Sequence, residues 1–490
     1  MTPTPTPTPT PPSPRPARAA TLALQILAAA LAASILAAAL HDVSTAWDVW
    51  YYHLPFAARL AGVVPAEAYT LSARNQGNFD GFPLLAELLQ GLLWRLTGRP
   101  ESANLVAAGS LAFYVWWLRR RERVPLHLAA IALLAIPLVQ LHASACYVDL
   151  PANLCASLLV LAVIRLHASP EPPSEHAPLQ LLVLAGVAAN MRFQLHPVVA
   201  LALLAAAPRL LPPLLRGPRR NLALVALALP LAFFSPLKNL VVHHNPYYPM
   251  RLAIPVLGLA LPGREDPYSS APAYLEHAPR ALRWLYSVLE IGVRPLTERR
   301  RWTIDQWMPE GSTGARMGGF FGAYAVFHVA LLAWLAARDA GDGGSLRARR
   351  SALAFAGLTA ITAVLPQSHE LRYYLYWMIV LVSLNLSLVC ARPDASRAAP
   401  ALGVACAVAL GVVLAVTRAG YAYPSGSTFA EIVASKVDAG VLARLREGDR
   451  VCLSKEPWTF LYAAPFHPPR RYAVRETDRR DECGEHRWEE

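Results

Sequence analysis

Long apolar runs separated by short polar links occupy most of the chain between residues 19 and 418. A helix that crosses a bilayer needs about 20 mainly apolar residues, so we interpret each run as a spanning helix. Eleven runs fit this interpretation, at 19–40, 103–118, 124–141, 150–164, 177–189, 196–208, 221–237, 317–337, 351–366, 373–390 and 399–417. The first is longer than the apolar core of a secretory signal, which has about 7 to 15 residues. The pattern predicts an all-α polytopic membrane protein.

The composition agrees with this class. Of the 490 residues, 55% are apolar and 16% are charged, whereas soluble domains average about 25% charged residues. This argues against a cytosolic enzyme, a disordered chain and a coiled coil. A net charge of +12 would point to nucleic acid in a soluble protein, but here the arginines lie between apolar runs. We attribute the excess to topology and to contact with anionic membrane lipids, and expect no nucleic-acid partner.

Arginines cluster after four of the even-numbered runs. These clusters lie at 119–123, 209–220, 338–350 and 392–397. Each falls on the side shared with the N-terminus, as the positive-inside rule expects, so that side is predicted to be cytoplasmic. The loops 41–102 and 238–316 then lie outside, together with the segment 419–490. The high content of arginine, alanine and leucine is typical of bacteria with GC-rich genomes, which predicts the inner (cytoplasmic) membrane, with the site facing the periplasm.

The two terminal segments have a different composition. Residues 1–18 form a Thr/Pro-rich stretch with no core to bury, predicted to be a disordered cytoplasmic tail. Residues 419–490 are predicted to form a small α/β periplasmic domain after the transmembrane domain 19–418. Its predicted elements are a helix at 437–445, a strand at 450–453, a helix at 458–463 and a strand at 471–475. Cys452 and Cys483 can pair there if the segment is extracytoplasmic.

The fifth and sixth runs are short and are joined by the polar link 190–197, which contains Arg192. About 13 residues span only about 20 Å, less than the ~30 Å hydrocarbon core. Two interpretations stay open at this point. Either the hairpin stops partway and faces a watery cavity inside the protein, or its helices are tilted and extended by polar flanks.

Two acids fall at the same predicted membrane face. Asp48 lies just after the first run, among aromatics that include Tyr51 and Tyr52, and is followed by His53. An interfacial belt explains the aromatic residues but not an acid among them. Asp149 begins the fourth run, where capping of the helix N-terminus is the alternative role. The acids are therefore candidates for chemistry at the outer face.

These segments, in this order, resemble the GT-C superfamily of integral membrane glycosyltransferases. The resemblance rests first on an acid that is followed by Tyr-His-Leu-Pro at 52–55. The other matching segments are 83–89, 147–151, 238–239 with 245–249, and 372–375. Together they cover roughly residues 19 to 390. The relatives in question are bacterial enzymes akin to protein O-mannosyltransferases and the lipid A aminoarabinose transferase. One departure is that Asp48 is followed by Val49, where protein O-mannosyltransferases carry an Asp-Glu pair. This departure weakens the case that the acceptor is a protein.

The resemblance implies a GT-C fold and the transfer of a sugar, with inversion, from a polyprenyl-phosphate donor. The acceptor would be a lipid or glycan hydroxyl. Asp48 stands at the position of the catalytic base, and Asp149 at a second acid position, from which it would either support the residues that contact the substrate or orient the acceptor. Tyr51, Tyr52 and His53 would line the site. Whether a divalent metal ion joins Asp48 stays open.

The donor phosphate needs cations, for which the candidates are Arg192, Lys238 and Arg372. A guanidinium fork matches a phosphate bidentately, and a lysine acts as a point charge. Arg192 has the strongest physical case because it interrupts two apolar runs. Its alternative role is snorkelling to the interface, and for Lys238 and Arg372 it is ordinary interfacial anchoring.

Two other functions compete with the enzyme. A transporter or flippase of lipid-linked glycans typically has internal repeats and charges near the midplane, whereas here no repeat is visible and the acids lie at one face. A protein that only binds the lipid carrier without catalysis is the other alternative. The sequence contains no P-loop or GxGxxG, so a nucleotide-sugar donor is not supported.

Overall fold

The structure is a computed structural model. It describes residues 15–168, 172–254, 258–264, 275, 277–290, 319–338, 343–416, 427–477, 479, 483 and 487–489. Most of the predicted cytoplasmic tail, at 1–14, lies outside the described residues. So do 291–318 in the second long loop and 417–426, where the final domain is predicted to begin.

The described chain is mostly helical. Its helices are α1 (Arg15–His41), α2 (Leu54–Leu60), α3 (Ala73–Gly81), α4 (Leu85–Thr97), α5 (Leu105–Glu122), α6 (Leu126–Leu134), α7 (Pro137–His142), α8 (Asp149–Ala168), α9 (Ala177–Met191), α10 (His196–Arg216), α11 (Arg219–Ala232), α12 (Phe234–His243), α13 (Arg280–Leu289), α14 (Gly322–Arg338), α15 (Gly343–Val364), α16 (Tyr376–Cys390), α17 (Ala395–Val416), α18 (Phe429–Lys436) and α19 (Ala439–Arg444). The first helix begins at Arg15, so it takes in the end of the predicted tail.

Within the described residues, most of each predicted apolar run lies on one helix or on a pair of consecutive helices. The helix of the eighth run begins at Gly322 instead of 317, and residues 317, 318 and 417 lie outside the described residues. The third run is divided into α6 and α7 because Pro137 follows Ile136, whose backbone is extended. Within the described residues, four helices are long and apolar enough to cross a membrane: 18–41, 149–168, 193–216 and 395–415. The pair α11 and α12, bent by 60°, makes a fifth if it counts as one span. These apolar helices are those of a helical membrane protein.

The basic ends of several helices meet at one end of the bundle. Glu122, at the end of α5, pairs with Arg347 of α15 at 2.9 Å and with Arg165 of α8 at 3.4 Å. Nearby, the guanidinium of Arg392 lies 5.5 Å from the ring of Trp334 in α14. Of the predicted site acids, Asp149 begins α8, at the end of that helix away from Arg165. One end of the bundle is therefore basic, and the other carries the candidate site.

The segment after residue 427 packs on the first long loop. Four parallel strands form a sheet in the order β1-β5-β4-β6. They are β1 (Tyr69–Thr70), β4 (Arg450–Leu453), β5 (Ala473–Glu476) and β6 (Arg487–Glu489). The strand at 450–453 is confirmed with its predicted bounds, and the next begins at Ala473 instead of 471. Because β1 belongs to the first loop, this sheet joins the two segments.

Apolar side chains and a disulfide hold this assembly together. Trp50 of the first loop packs against Trp458, with ring centroids 5.6 Å apart, and Tyr69 packs against Phe460 at 5.1 Å. Cys452 of β4 is bonded to Cys483. A separate antiparallel pair, β2 (Leu252–Ile254) and β3 (Leu259–Leu261), lies in the second loop.

Candidate active site

A cavity of about 290 Å³ opens at the end of the bundle away from Glu122 and Arg347. Its walls come from the first loop, the α9–α10 link and the segment before α16. The lining residues are Trp47, Asp48, Tyr51, Tyr52, His53, Arg74, Asn78, Phe82, Pro83, Glu87, Val148, Met191, Arg192, Phe193, Gln194, Met250, Gln367, Arg372 and Tyr373. Segments far apart in sequence thus bring two arginines, an aspartate and a histidine predicted for the site into one cavity.

A π-helical turn over Val49–His53 carries the first group of lining residues. The turn follows Asp48 and ends at His53, and α2 begins at the next residue, Leu54. The backbone amide of Leu54 donates to the carbonyl of Val49, five residues earlier, which is the hydrogen bond of a π-helix. Single π-turns are rare and occur often at functional sites. The turn presents Asp48, Tyr52 and His53 to the same cavity.

Asp48 pairs with Arg372 across the cavity. The Nη1 atom of Arg372 donates to Oδ2 of Asp48 at 2.8 Å. The side chain of Asp48 is 19% exposed, whereas Arg372 is buried. Burial alone would raise the pKa of the Asp48 carboxyl, but the Arg372 charge, the nearby His53 and a hydrogen bond from Tyr52 hold it below its ordinary value. Asp48 is therefore an ionised acid that remains accessible from the cavity.

Asp149 pairs with Arg192. Its Oδ1 lies 3.2 Å from Nη2 of Arg192, and both side chains are buried. Neither carboxylate oxygen accepts a hydrogen bond from any described residue, so Asp149 does not cap α8 although it begins that helix. In the structure Asp149 faces Arg192 and does not cap the helix N-terminus.

One tyrosine lies between the two arginines. The guanidinium carbons of Arg192 and Arg372 lie 4.5 Å and 4.9 Å from the ring centre of Tyr373. Nη2 of Arg372 also donates to the Tyr373 hydroxyl at 3.1 Å. Below them, the side-chain amide of Asn153 donates to the carbonyl of Arg372 at 3.1 Å and so ties its backbone to α8. Two cations are thus held near each other, in contact with one aromatic ring.

The link between α9 and α10 forms part of the cavity wall. Arg192 has extended backbone between the end of α9 and a short 3₁₀ turn over Phe193–Leu195. The candidate span 193–216 is long enough to cross a membrane, whereas α9 has 15 residues. Arg192 does not snorkel, because it is buried against Asp149. The structure agrees with one part of each interpretation of this hairpin: its link lines the cavity, and the helix after the link is extended beyond the predicted run 196–208 to a length that can cross a membrane.

Tyr51, Tyr52 and His53 line the cavity as predicted, but Lys238 does not. Its ammonium donates to the carbonyl of Asp80 at the end of α3. The next residue, Asn239, donates to the carbonyl of Gly81 at 2.7 Å. This end of α12 therefore anchors α3, and Lys238 is held away from the cavity that contains Arg192 and Arg372.

Sequence reasoning missed Glu87 as a member of the site. The helix that carries it, α4, exposes Leu88, Leu89, Leu92 and Leu96. The opposite face buries Glu87, Gln90 and Trp94. The Oε1 atom of Glu87 accepts a hydrogen bond from Nδ1 of His53, 2.9 Å away. The signal was an acid, an amide and a tryptophan at helical spacing, opposite the leucines.

Glu370 is a second buried acid that the sequence did not indicate. It lies two residues before Arg372 and is almost fully buried. Neither of its oxygens has a hydrogen-bond partner in the described chain, and Nε2 of His369 is 3.7 Å away. Burial raises the pKa of Glu370 to about 8, against the opposing effect of Arg372 and with a contribution from Asp48. At neutral pH this acid is mainly protonated.

A metal site was left open by the sequence. Among the described residues, no group of three or more His, Cys, Asp or Glu side chains is arranged to hold a metal ion. The carboxylates of Asp48, Asp149 and Glu87 each face a basic side chain of the same region.

Comparison with known proteins does not assign a family or a function to this chain. No family model, no curated protein and no solved structure matches this chain. The proposed function therefore rests on the geometry of the cavity and on the resemblance of its segments.

Proposed function

We propose that this chain is an integral membrane glycosyltransferase of the GT-C type. It moves a sugar from a polyprenyl-phosphate donor to a lipid or glycan hydroxyl on the periplasmic side, with inversion. The observation that carries the proposal is that two buried arginines line one cavity of a helical bundle and that each is paired with an aspartate. Of these aspartates Asp48 lines the cavity, whereas Asp149 is fully buried and reaches it only through Arg192. An acid and a pair of guanidinium groups are the parts that this transfer needs.

The arginines are the donor phosphate site. Guanidinium groups bind phosphate through short, charge-assisted hydrogen bonds. Arg192 and Arg372 lie on the same tyrosine ring, so a phosphate between them meets both positive charges. The anion also offsets the repulsion between the two cations. Negative charge that develops on the leaving phosphate is stabilised at the same place.

Asp48 is the general base. When Arg372 turns to the donor phosphate, the carboxylate of Asp48 is released from its 2.8 Å contact and can accept the proton of the acceptor hydroxyl. The acceptor oxygen attacks the anomeric carbon on the face opposite the phosphate. The bond from this carbon to the phosphate oxygen breaks, and the phosphate keeps the electron pair. Asp149 holds Arg192 in place through their 3.2 Å contact.

The aromatic lining suits a sugar. Trp47, Tyr51, Phe82 and Phe193 offer apolar surfaces beside the charged groups. Binding sites of this kind combine an apolar wall with a few polar groups that fix orientation. With a volume of about 290 Å³, the cavity takes a small sugar head, while the polyprenyl chain extends between the helices.

The membrane arrangement completes the proposal. The eleven predicted runs are eleven crossings, with the N-terminus in the cytoplasm and the segment after 427 in the periplasm. The meeting of basic helix ends away from the cavity supports this orientation. The disulfide between Cys452 and Cys483 supports it as well, since disulfides persist in oxidising compartments. The membrane is the bacterial inner membrane.

The proposal is tested with purified protein in lipid vesicles. The donors are undecaprenyl phosphates carrying glucose, mannose, galactose or arabinose, and the acceptors are envelope glycolipids extracted from the source bacterium. We expect wild type to release undecaprenyl phosphate from one donor and Asp48→Asn to lose this activity while still binding undecaprenyl phosphate. Asp80→Asn is the matched control, because Asp80 lies in the same loop with an exposed side chain. Movement of the intact donor across the vesicle without bond cleavage would contradict the enzyme and support a transporter.

A further inference from the structure

The π-turn places His53 and Asp48 in the wall of the same cavity. In an α-helix, two residues five apart point about 140° away from each other, because each residue turns the chain by about 100°. Hydrogen bonds of the i→i+5 type bring such residues onto one face instead. Asp48 precedes the turn and His53 ends it, so both line the cavity. His53 is close enough to Asp48 to lower the pKa of that carboxyl.

His53 is also oriented by a buried carboxylate. Nδ1 of His53 lies 2.9 Å from Oε1 of Glu87, and the two side chains are 1% and 2% exposed. The rings of Tyr52 and Tyr147 pack at 4.3 Å and 5.4 Å from the imidazole and fix its plane. The other ring nitrogen, Nε2, is buried and has no hydrogen-bond partner among the residues that the structure describes. One nitrogen is therefore held by an acid, and the other is left for a second partner.

We propose that His53 and Glu87 form a proton relay for Asp48. This inference rests on the proposed transferase function and deepens it. Asp48 takes the proton from the acceptor hydroxyl as the bond from the anomeric carbon to the phosphate breaks. The proton then passes from the Asp48 carboxyl to Nε2 of His53, and Glu87 stabilises the resulting imidazolium. His53 releases the proton to water when the products leave.

The relay explains how Asp48 returns to its starting state. With a lowered pKa, Asp48 binds a proton weakly and re-forms its ion pair with Arg372 once the phosphate has gone. An imidazole can take up a proton at one ring nitrogen and pass it on, which is the part assigned to His53. A carboxylate behind the imidazole keeps it in one tautomer and orientation.

The test uses His53→Ala, His53→Asn and Glu87→Gln in the vesicle assay with undecaprenyl-phosphate sugars. We expect kcat to fall by about 100-fold in the His53 variants, which is typical for the loss of acid–base assistance. The KM for the donor should stay within about twofold, because the phosphate site of Arg192 and Arg372 is untouched. Added imidazole should restore part of the rate of His53→Ala, an effect that a merely structural histidine does not produce.

The controls separate this inference from the function on which it rests. His142→Asn removes another buried histidine, on the ring of Tyr147 at 4.9 Å, and should keep the wild-type kcat. Glu101→Gln is the control for Glu87→Gln, since Glu101 is buried in the same loop and accepts from the Phe429 amide at 3.1 Å. An unchanged kcat in His53→Asn, or a loss without imidazole rescue, would overturn the relay alone. A wild type that transfers no sugar would overturn the transferase and the relay together.

Discussion

Replacing Glu370 by glutamine should make the protein more stable at neutral and alkaline pH and leave it unchanged in acid. The carboxyl of Glu370 is buried, and its oxygens have no hydrogen-bond donor in the described chain. Its ionised form is therefore disfavoured by the fold. Glutamine has nearly the same shape as the protonated acid and does not ionise.

The size of the effect follows from the shift in pKa. Burial raises the pKa of Glu370 from 4.5 to about 8 in the folded protein. Between these values the folded state binds more protons than the unfolded state, so the free energy of unfolding falls as pH rises. Each pH unit in this window lowers it by about 1.4 kcal/mol. Between pH 5 and pH 7, wild type should lose about 3 kcal/mol relative to Glu370→Gln.

The measurement is unfolding in mixed micelles with increasing SDS, for both proteins, at pH 5, 6, 7 and 8. The difference in unfolding free energy between variant and wild type should start near zero and grow with pH. Glu101→Gln serves as a control, because its carboxylate accepts a backbone hydrogen bond. A difference that stays constant from pH 5 to pH 8 would refute the argument, since the Glu370 carboxyl would then titrate alike in both states.

Two further variants test the phosphate site and the C-terminal sheet. Arg372→Lys keeps a positive charge opposite Asp48 but loses the guanidinium fork. Undecaprenyl phosphate should therefore bind about 10 to 100 times more weakly. Its affinity is measured by the quenching of tryptophan fluorescence. Glu476→Ala removes the acceptor of the Asn75 side-chain amide at 2.9 Å and of the Ser72 amide at 3.3 Å. This should lower the free energy of unfolding by about 2 kcal/mol and speed proteolysis of the first loop.

Each of these variants has a matched control. Arg99→Lys changes an exposed arginine of the first loop that bonds the carbonyl of Leu40, and it should bind undecaprenyl phosphate as wild type does. Glu447→Ala changes an exposed acid of the C-terminal segment and should leave stability within about 0.5 kcal/mol. Unchanged binding in Arg372→Lys would remove Arg372 from the phosphate site. Unchanged stability in Glu476→Ala would mean that the sheet does not support the first loop.

The helices could be predicted from the sequence because apolar runs carry their own signal. A run of about 20 apolar residues is helical in a bilayer whatever its neighbours are. The strand at 450–453 was predicted equally well, but its partner β1 in the first loop was not. Tyr69 and Val474 are paired across some four hundred residues, and no local pattern records such a pairing. The number of crossings and the limits of the C-terminal domain stay predictions.

The candidate site, too, could be predicted from the sequence only in part. Asp48, Asp149, Arg192 and Arg372 were singled out by their place between apolar runs and by resemblance, and the structure brings them to one end of the bundle. Lys238 was selected by the same reasoning, yet it contacts the end of α3 instead. Which aspartate faces which arginine depends on how α8, α9 and α16 pack. The sequence alone carries no information on that packing.

The most direct test of the account compares a deletion strain complemented with wild type or with Asp48→Asn at matched protein level. Polyprenyl-phosphate sugars and envelope glycolipids are analysed by mass spectrometry. The account predicts that the deletion and Asp48→Asn both accumulate a glycosylated carrier and lose one sugar mass from an envelope component. If Asp48→Asn matched wild type while the deletion did not, Asp48 would not be the base and the transferase mechanism proposed here would be contradicted.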